Sequence, residues 1–367
     1  MNIIQPDIFL RHTADLCFIG QDVIEMRPGE LWMFARWGAA PTVFNANNPA
    51  VTRPPLLKSF DHGRTWVEAG PLDIDWNVDG ICDSGGSSVL RLASGRVVFI
   101  SHRRSAKYGA SGSHGIPVVS TSDDAGATWS KARLMRDEDD IIYVMNQRLV
   151  QMANGRLILP VSGRDPRVPL NTYGEGKSPN QARCLISDDE GESWRWSRDI
   201  IREDTDRGAQ EPAVLEADPG RLVMLYRSGN GCNMTSFSTD GGDTWSAPER
   251  TTQTAACSSL TMLKLPDGRL LTAYNHVTPL FKESYYPRSP LVYATSRDGR
   301  TWSEPVLIDD QPDQQLIYPS ITPTAEGLLV VYCAHYDTGD GGFNFPSDAW
   351  KTGGGKRCIV AYPPWNL

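Results

Sequence analysis

Glu211, Arg227, Tyr318, Arg36, His102, Asn146 and Asn275 are polar side chains set inside otherwise apolar stretches, and they recur at two fixed distances from a repeated glycine. Nine residues before that glycine stand Gly20, Gly86, Asn146, Glu211, Ser259 and Tyr318. Seven residues after it stand Arg36, His102, Ser162, Arg227, Asn275 and Ala334. A carboxyl, a phenol and an imidazole can exchange protons, and guanidinium groups hold planar anions. Burying such groups unpaired costs roughly 1–3 kcal/mol each, so a ligand-binding funnel on which they converge explains them better than an apolar core does. A hydrated structural channel is the competing explanation.

The elements that must position these residues follow from the repeat. Gly29, Gly95, Gly155, Gly220, Gly268 and Gly327 each open a phrase of the form Gly-x-Leu/Val plus apolar residues: PGELWMFAR, SGRVVFISH, NGRLILPVS, PGRLVMLYR, DGRLLTAYN and EGLLVVYCA. Glycine accepts the positive φ of a tight hairpin, and the apolar run after it suits a buried strand. A second phrase follows each of the first five hairpins: SFDHGRTW from Ser59, SDDAGATW from Ser122, SDDEGESW from Ser187, STDGGDTW from Ser238 and SRDGRTW from Ser296. These are Asp boxes, turns in which the aspartate bonds nearby amides, glycine makes the bend and tryptophan packs beneath. The fifth box is one residue short, which predicts a looser turn.

Units of this length with about four strands each predict an all-β fold, a six-bladed β-propeller in one domain spanning 1–367. The sixth unit lacks an Asp box, so a strand from Asn2 to Leu10 is expected to pair with the last blade and close the ring. Residues Arg164 to Gln181 are expected to form a long loop on one rim. Equivalent positions of all blades then meet at one end of the axis.

Five Asp boxes and six hairpins over essentially the whole chain resemble the sialidase (neuraminidase) superfamily. That resemblance implies a six-bladed propeller and an exo-acting glycoside hydrolase. In QEPAVLEADPGRLVMLYR, Glu211 looks like the family glutamate and Arg227 like its second carboxylate-binding arginine. Arg288 in YYPRSPLVY resembles the third arginine, and Tyr318 in LIYPSI the tyrosine nucleophile. A phenol, with an ordinary pKa near 10, is a poor nucleophile and needs a carboxylate such as Glu211 to draw off its proton. A neutral phenol also avoids repulsion beside an anomeric carboxylate, and the pair predicts a retaining outcome.

The departures narrow this implication. The family's first arginine falls on FIGQD, around Ile19 to Gln21, where no arginine stands; its acid/base aspartate falls in NANNPAVTRPP, which has no carboxylate. Arg36 is the substitute for the arginine, and Asp83 or His102, with Asp79 nearby, the substitutes for the acid. Asn146, Arg148 and Arg164 would face the funnel from the third unit and suit sugar hydroxyls or a second anionic group, although such arginines also form ordinary ion pairs between blades. The substrate expected is a carbohydrate, sialic-acid-like or otherwise polar or anionic. A uronate lyase, an arabinanase-like exo-glycosidase and a non-catalytic carbohydrate-binding propeller are the alternatives on the same scaffold.

Composition is that of an ordinary globular protein and bounds its partners. A net charge of -8 argues against nucleic acid or an anionic membrane as partner. The opening residues lack a signal-peptide pattern and no later stretch has 18 apolar residues in a row, so a cytoplasmic protein is expected. The seven cysteines, Cys17, Cys82, Cys184, Cys232, Cys257, Cys333 and Cys358, include no Cys-x-x-Cys pair and are read as reduced packing residues. The six histidines have no zinc-ligand spacing, so neither a metal nor another cofactor is expected.

Overall fold

The computed structural model describes residues 8–11, 21–34, 55–75, 81–105, 116–136, 142–143, 148–164, 180–205, 207–277, 288–311, 314–336, 357–363 and 365. Arg36, Asn146, Asp79 and Gly20 lie outside them, as do 165–179 of the expected rim loop. The ends of that expected loop are strand instead, since β-strands run to Arg164 and resume at Asn180.

Strand β1 (Ile8–Arg11) precedes blade 1, which comprises β2 (Asp22–Arg27), β3 (Glu30–Phe34), β4 (Pro55–Ser59) and β5 (Val67–Pro71). Blade 2 comprises β6 (Ile81–Arg91), β7 (Val97–Ser105), β8 (Ile116–Ser122) and β9 (Arg133–Leu134). Blade 3 has β10 (Ile142–Tyr143) and β11 (Val150–Gln151), both paired with β12 (Leu157–Arg164), then β13 (Asn180–Ser187) and β14 (Arg195–Trp196). Blade 4 runs through β15 (Gln210–Asp218), β16 (Arg221–Arg227), β17 (Cys232–Ser238) and β18 (Glu249–Thr254). Blade 5 holds β19 (Thr261–Lys264), β20 (Leu270–Asn275), β21 (Leu291–Ser296) and β22 (Val306–Asp309). Blade 6 consists of β23 (Gln314–Thr324), β24 (Gly327–Tyr336) and β25 (Arg357–Ala361), completed by β1. The architecture is a six-bladed all-β propeller, and no helix occurs among the described residues.

The ring closes by the first strand, seen over Ile8–Arg11; residues 2–7 of the strand expected from Asn2 to Leu10 lie outside the described residues. Ile8 to Arg11 pair antiparallel with Val360 to Arg357, so the first strand covers the edge of the last blade. Apolar faces then bury between neighbours all the way round, because each blade is apolar on both sides. One cluster joins Val23 and Met33 of blade 1 to Ile317 and Val331 of blade 6. Five others occupy the remaining junctions between consecutive blades.

The Asp boxes lock one end of each blade by local bonds. In the second box the Asp124 carboxylate accepts from Thr128 N (2.8 Å), Thr128 Oγ1 (2.6 Å) and Ser122 Oγ (2.8 Å), while Trp129 Nε1 donates to Gly126 O (3.2 Å). The shortened fifth box keeps the serine and aspartate bonds, with Gly299 N donating to Ser296 Oγ (2.9 Å) and Thr301 N to Asp298 (2.8 Å). Its Trp302 Nε1, however, is buried without a partner, unlike the tryptophans of the other boxes, which donate to the box glycine. Because strands 1 to 4 of a blade alternate in direction, the turn glycine and the Asp box lie at one end and the start of the inner strand at the other. Glu211, at the start of β15, is therefore at the far end of its blade from Gly220 and from the box at Ser238.

Among the described residues, no disulfide joins Cys184, Cys232, Cys257 or Cys333. No described helix is long and apolar enough to cross a membrane.

Candidate functional site

The inner hairpins of blades 2, 4 and 6 carry the same irregularity. In blade 4, Gln210 pairs with Arg227 and Ala213 with Leu225, so Glu211 and Pro212 together face Tyr226. In blade 6, Ile317 pairs with Cys333 and Ser320 with Val331, so Tyr318 and Pro319 face Tyr332. In blade 2, Ser84 pairs with Arg103 and Ser87 with Ser101, so Gly85 and Gly86 face His102. Two residues opposite one is a β-bulge, which turns a side chain out of the ladder and is common beside active sites. Proline fits the second position because it has no N–H to give to the ladder.

The bulge forces an uncommon backbone on the two residues that matter most. Glu211 has φ 48° and Tyr318 φ 54°. Among the described residues only three other non-glycines have positive φ, His62, Ala125 and Glu190, and each immediately precedes an Asp-box glycine. The box residues are explained by their turns. Glu211 and Tyr318 have no turn to explain them, and each stores about 1–3 kcal/mol of strain that the surrounding fold must offset.

Glu211 is buried and doubly anchored. Its amide donates to Ser162 Oγ of blade 3 (2.6 Å), and its Oε1 accepts Arg227 Nη2 at 2.8 Å. Arg227 Nη1 donates to the Cys257 carbonyl (3.0 Å), so one guanidinium ties blade 4 to the entry of blade 5. Glu211 Oε2 is buried and has no hydrogen-bond partner. Tyr318 is 4% exposed, its ring packed between blades 6 and 1, and no hydrogen bond joins its hydroxyl to Glu211.

Arg288 lies at the junction of blades 5 and 6. Its carbonyl accepts from Asn275 Nδ2 (2.8 Å) and from Leu316 N (2.8 Å). Asn275 Nδ2 also donates to Leu316 O (2.9 Å), two residues before Tyr318. Asn275 is thus a buried clamp that sets the segments bearing Arg288 and Tyr318. Burial, with the Glu211 charge, pushes the half-buried Cys257 thiol up, while Arg227, Arg207 and Arg288 pull it down. Arg207 belongs to the segment before β15; Gly229 N donates to Thr205 Oγ1 of that segment (3.4 Å), docking it on the end of β16.

Arg148 is 1% exposed and lies inside the ring. Asp83 and Arg164 fall on β6 and β12, in register with Arg104 and Asn180. No group of three or more histidine, cysteine or carboxylate side chains with metal-binding geometry occurs among the described residues.

Counting from the glycine misses some of this. The ladder aligns Gly85, not Gly86, with Glu211 and Tyr318, because the turn of blade 2 leaves five residues between the paired Arg91 and Val97, whereas those of blades 4 and 6 leave two between Asp218 and Arg221 and between Thr324 and Gly327. It likewise puts Arg103 at the position of Arg227, and His102 at that of Tyr226. Arg207 has no repeat partner, so no spacing could reveal it.

Comparison with known proteins agrees with this architecture. A family model described as a BNR repeat-like domain matches residues 84–331. No curated protein matches the chain by sequence. Among solved structures, a protein of unknown function from Dyadobacter fermentans superposes with a TM-score of 0.69 at 20% identity, covering 99% of this chain and 100% of that one. A Hadza microbial sialidase gives 0.66 at 18% identity over 96% of this chain and 67% of its own. A Trypanosoma rangeli sialidase in complex with the inhibitor DANA gives 0.63 at 13%, over 95% and 55%.

Proposed function

Since the chain belongs to the family of BNR repeat-like domains, we propose that this sialidase-like propeller is an exo-acting glycoside hydrolase whose nucleophile is Tyr318 and whose activating base is Glu211. The observation that carries the reading is the pair of strained residues: the only positive-φ non-glycines outside the Asp boxes, among those described, are the one phenol and the one carboxylate this chemistry needs. In the reaction the Tyr318 oxygen attacks the anomeric carbon as its proton passes to Glu211. The glycosidic bond breaks, and the leaving oxygen takes a proton from an acid, for which Asp83 and His102 are the candidates. Water then releases the sugar with retention.

The hydroxyl and carboxylate meet on substrate binding, since catalytic hydrogen bonds often tighten only in the complex. Arg227 and Arg288 support recognition of an anionic or strongly polar sugar by planar, charge-assisted bonds. One observation favours a non-catalytic carbohydrate-binding propeller instead: Glu211 is bonded to Arg227 and not to Tyr318.

A panel of nitrophenyl and methylumbelliferyl glycosides, with sialosides and uronides among them, separates the two. Hydrolysis of one glycoside class, lost in Glu211→Gln, is the expected result. Binding to immobilised glycans without hydrolysis of any member would overturn the enzymatic reading.

A further inference from the structure

Beneath the mouth, one cation crosses the propeller. Arg148 stands just before β11 in blade 3, where its amide donates to Ser88 Oγ of blade 2 (2.8 Å). Its guanidinium ends on blade 5: Nη2 donates to Ser259 Oγ (3.1 Å) and to Leu260 O (2.6 Å). Blade 4 lies between these two blades in the ring, so the side chain runs past the inner strand of blade 4, which bears Glu211.

Neither acceptor on blade 5 is charged. A guanidinium this deeply buried with only neutral acceptors is costly unless opposite charge lies close by. Burial pulls the Arg148 guanidinium down to about 10, the charges of Glu211 and Asp22 push it back up, and Arg227 opposes it. Arg148 Nε and Nη1 are buried without hydrogen-bond partners, and so is Glu211 Oε2. The oxygen of Glu211 that Arg227 does not hold is therefore left to the field of Arg148.

We propose that Arg148 is a positioning residue for Glu211, a fixed cation laid between blades 3 and 5 past blade 4 that supports the carboxylate oxygen Arg227 does not hold. This deepens the reading of Glu211 as the base and rests on it for the catalytic readout only. A plain structural tie would need the bonds to Ser259 and Leu260 but not the charge. A charged support needs Glu211 as its partner. Substitution Arg148→Gln keeps an N–H donor and removes the charge; Ser259→Ala removes a bond and keeps the charge.

The test is a double-mutant cycle on urea-denaturation midpoints for wild type, Arg148→Gln, Glu211→Gln and the double variant. The expected result is that Arg148→Gln lowers the midpoint by less than half as much in the Glu211→Gln background as in wild type. Equal shifts in both backgrounds, or a shift of the same size from Ser259→Ala, would overturn the proposal. If Arg148→Gln alone fails to fold, restored folding in the double variant supports it and failure in both refutes it. On whichever glycoside the panel identifies, Arg148→Gln is expected to lower kcat on the order of a hundredfold with KM nearly unchanged, and Arg148→Lys to recover about tenfold of that. Should wild type hydrolyse nothing, the enzymatic reading fails while the midpoint cycle still judges Arg148.

Discussion

Replacing Tyr318 by phenylalanine removes one oxygen and little else. The ring stays packed with Ile317, Val331 and Met33 at the junction of blades 6 and 1. Its hydroxyl makes no hydrogen bond among the described residues, so the unfolding free energy is expected to stay within about 0.5 kcal/mol of wild type. Turnover is a separate matter. If the phenol is the nucleophile, its loss removes transition-state stabilisation of about 3 kcal/mol or more, at least roughly a hundredfold in kcat. If it only binds the sugar, one hydrogen bond of about 1 kcal/mol is lost, roughly a fivefold rise in KM. Steady-state kinetics on the aryl glycoside found by screening, beside urea denaturation of the same preparations, separates these outcomes. Wild-type kcat with a raised KM would refute the covalent mechanism and make Tyr318 a recognition residue.

Asn275→Ala removes both bonds to the Arg288 and Leu316 carbonyls and is expected to cost about 2 kcal/mol in urea denaturation, with reduced activity, because the segments bearing Arg288 and Tyr318 lose their clamp. Gly126 and Gly155 both have positive φ, but a Cβ on Gly126 would lie 2.5 Å from the Trp32 ring whereas one on Gly155 meets nothing within 4 Å. Gly155→Ala is therefore expected to cost about 1 kcal/mol and Gly126→Ala about 3, measured as denaturation midpoints. The Thr128 hydroxyl, then its amide and Ser122, hold the Asp124 carboxyl below its ordinary 3.8, at about 2. The folded state thus binds fewer protons than the unfolded chain, so this contribution is whole above pH 4 and disappears as pH falls through about 2. Asp124→Asn should flatten that part of the stability profile; an unchanged acid limb would show that the box carboxylate does not matter to folding.

The sequence by itself determined the propeller, because its evidence is local. Each Asp box closes with bonds between residues no more than five apart, such as Gly63 N to Ser59 Oγ, and each hairpin needs only a glycine and an apolar run. Six such units and an incomplete last blade leave closure by the first strand as the way to cover an open edge, and Ile8 to Arg11 supply it. Glu211 and Tyr318 were legible for the same reason, as polar residues at a repeated distance from a turn.

Only the tertiary structure decided how these residues meet. Glu211 is set by Ser162, 49 residues away, and Arg148 reaches Ser259 across 111 residues, contacts that exist only once the ring has closed. The bulges are likewise a property of strand pairing: counting along one strand cannot reveal that two residues oppose one, nor that the longer turn of blade 2 moves Gly85 and Arg103 into the positions of Glu211 and Arg227. Arg148 reads in sequence as one more arginine facing a funnel. Its burial and the neutrality of its acceptors arise from blades 3 and 5, which are distant in the chain and are brought to either side of blade 4 only by the closed ring.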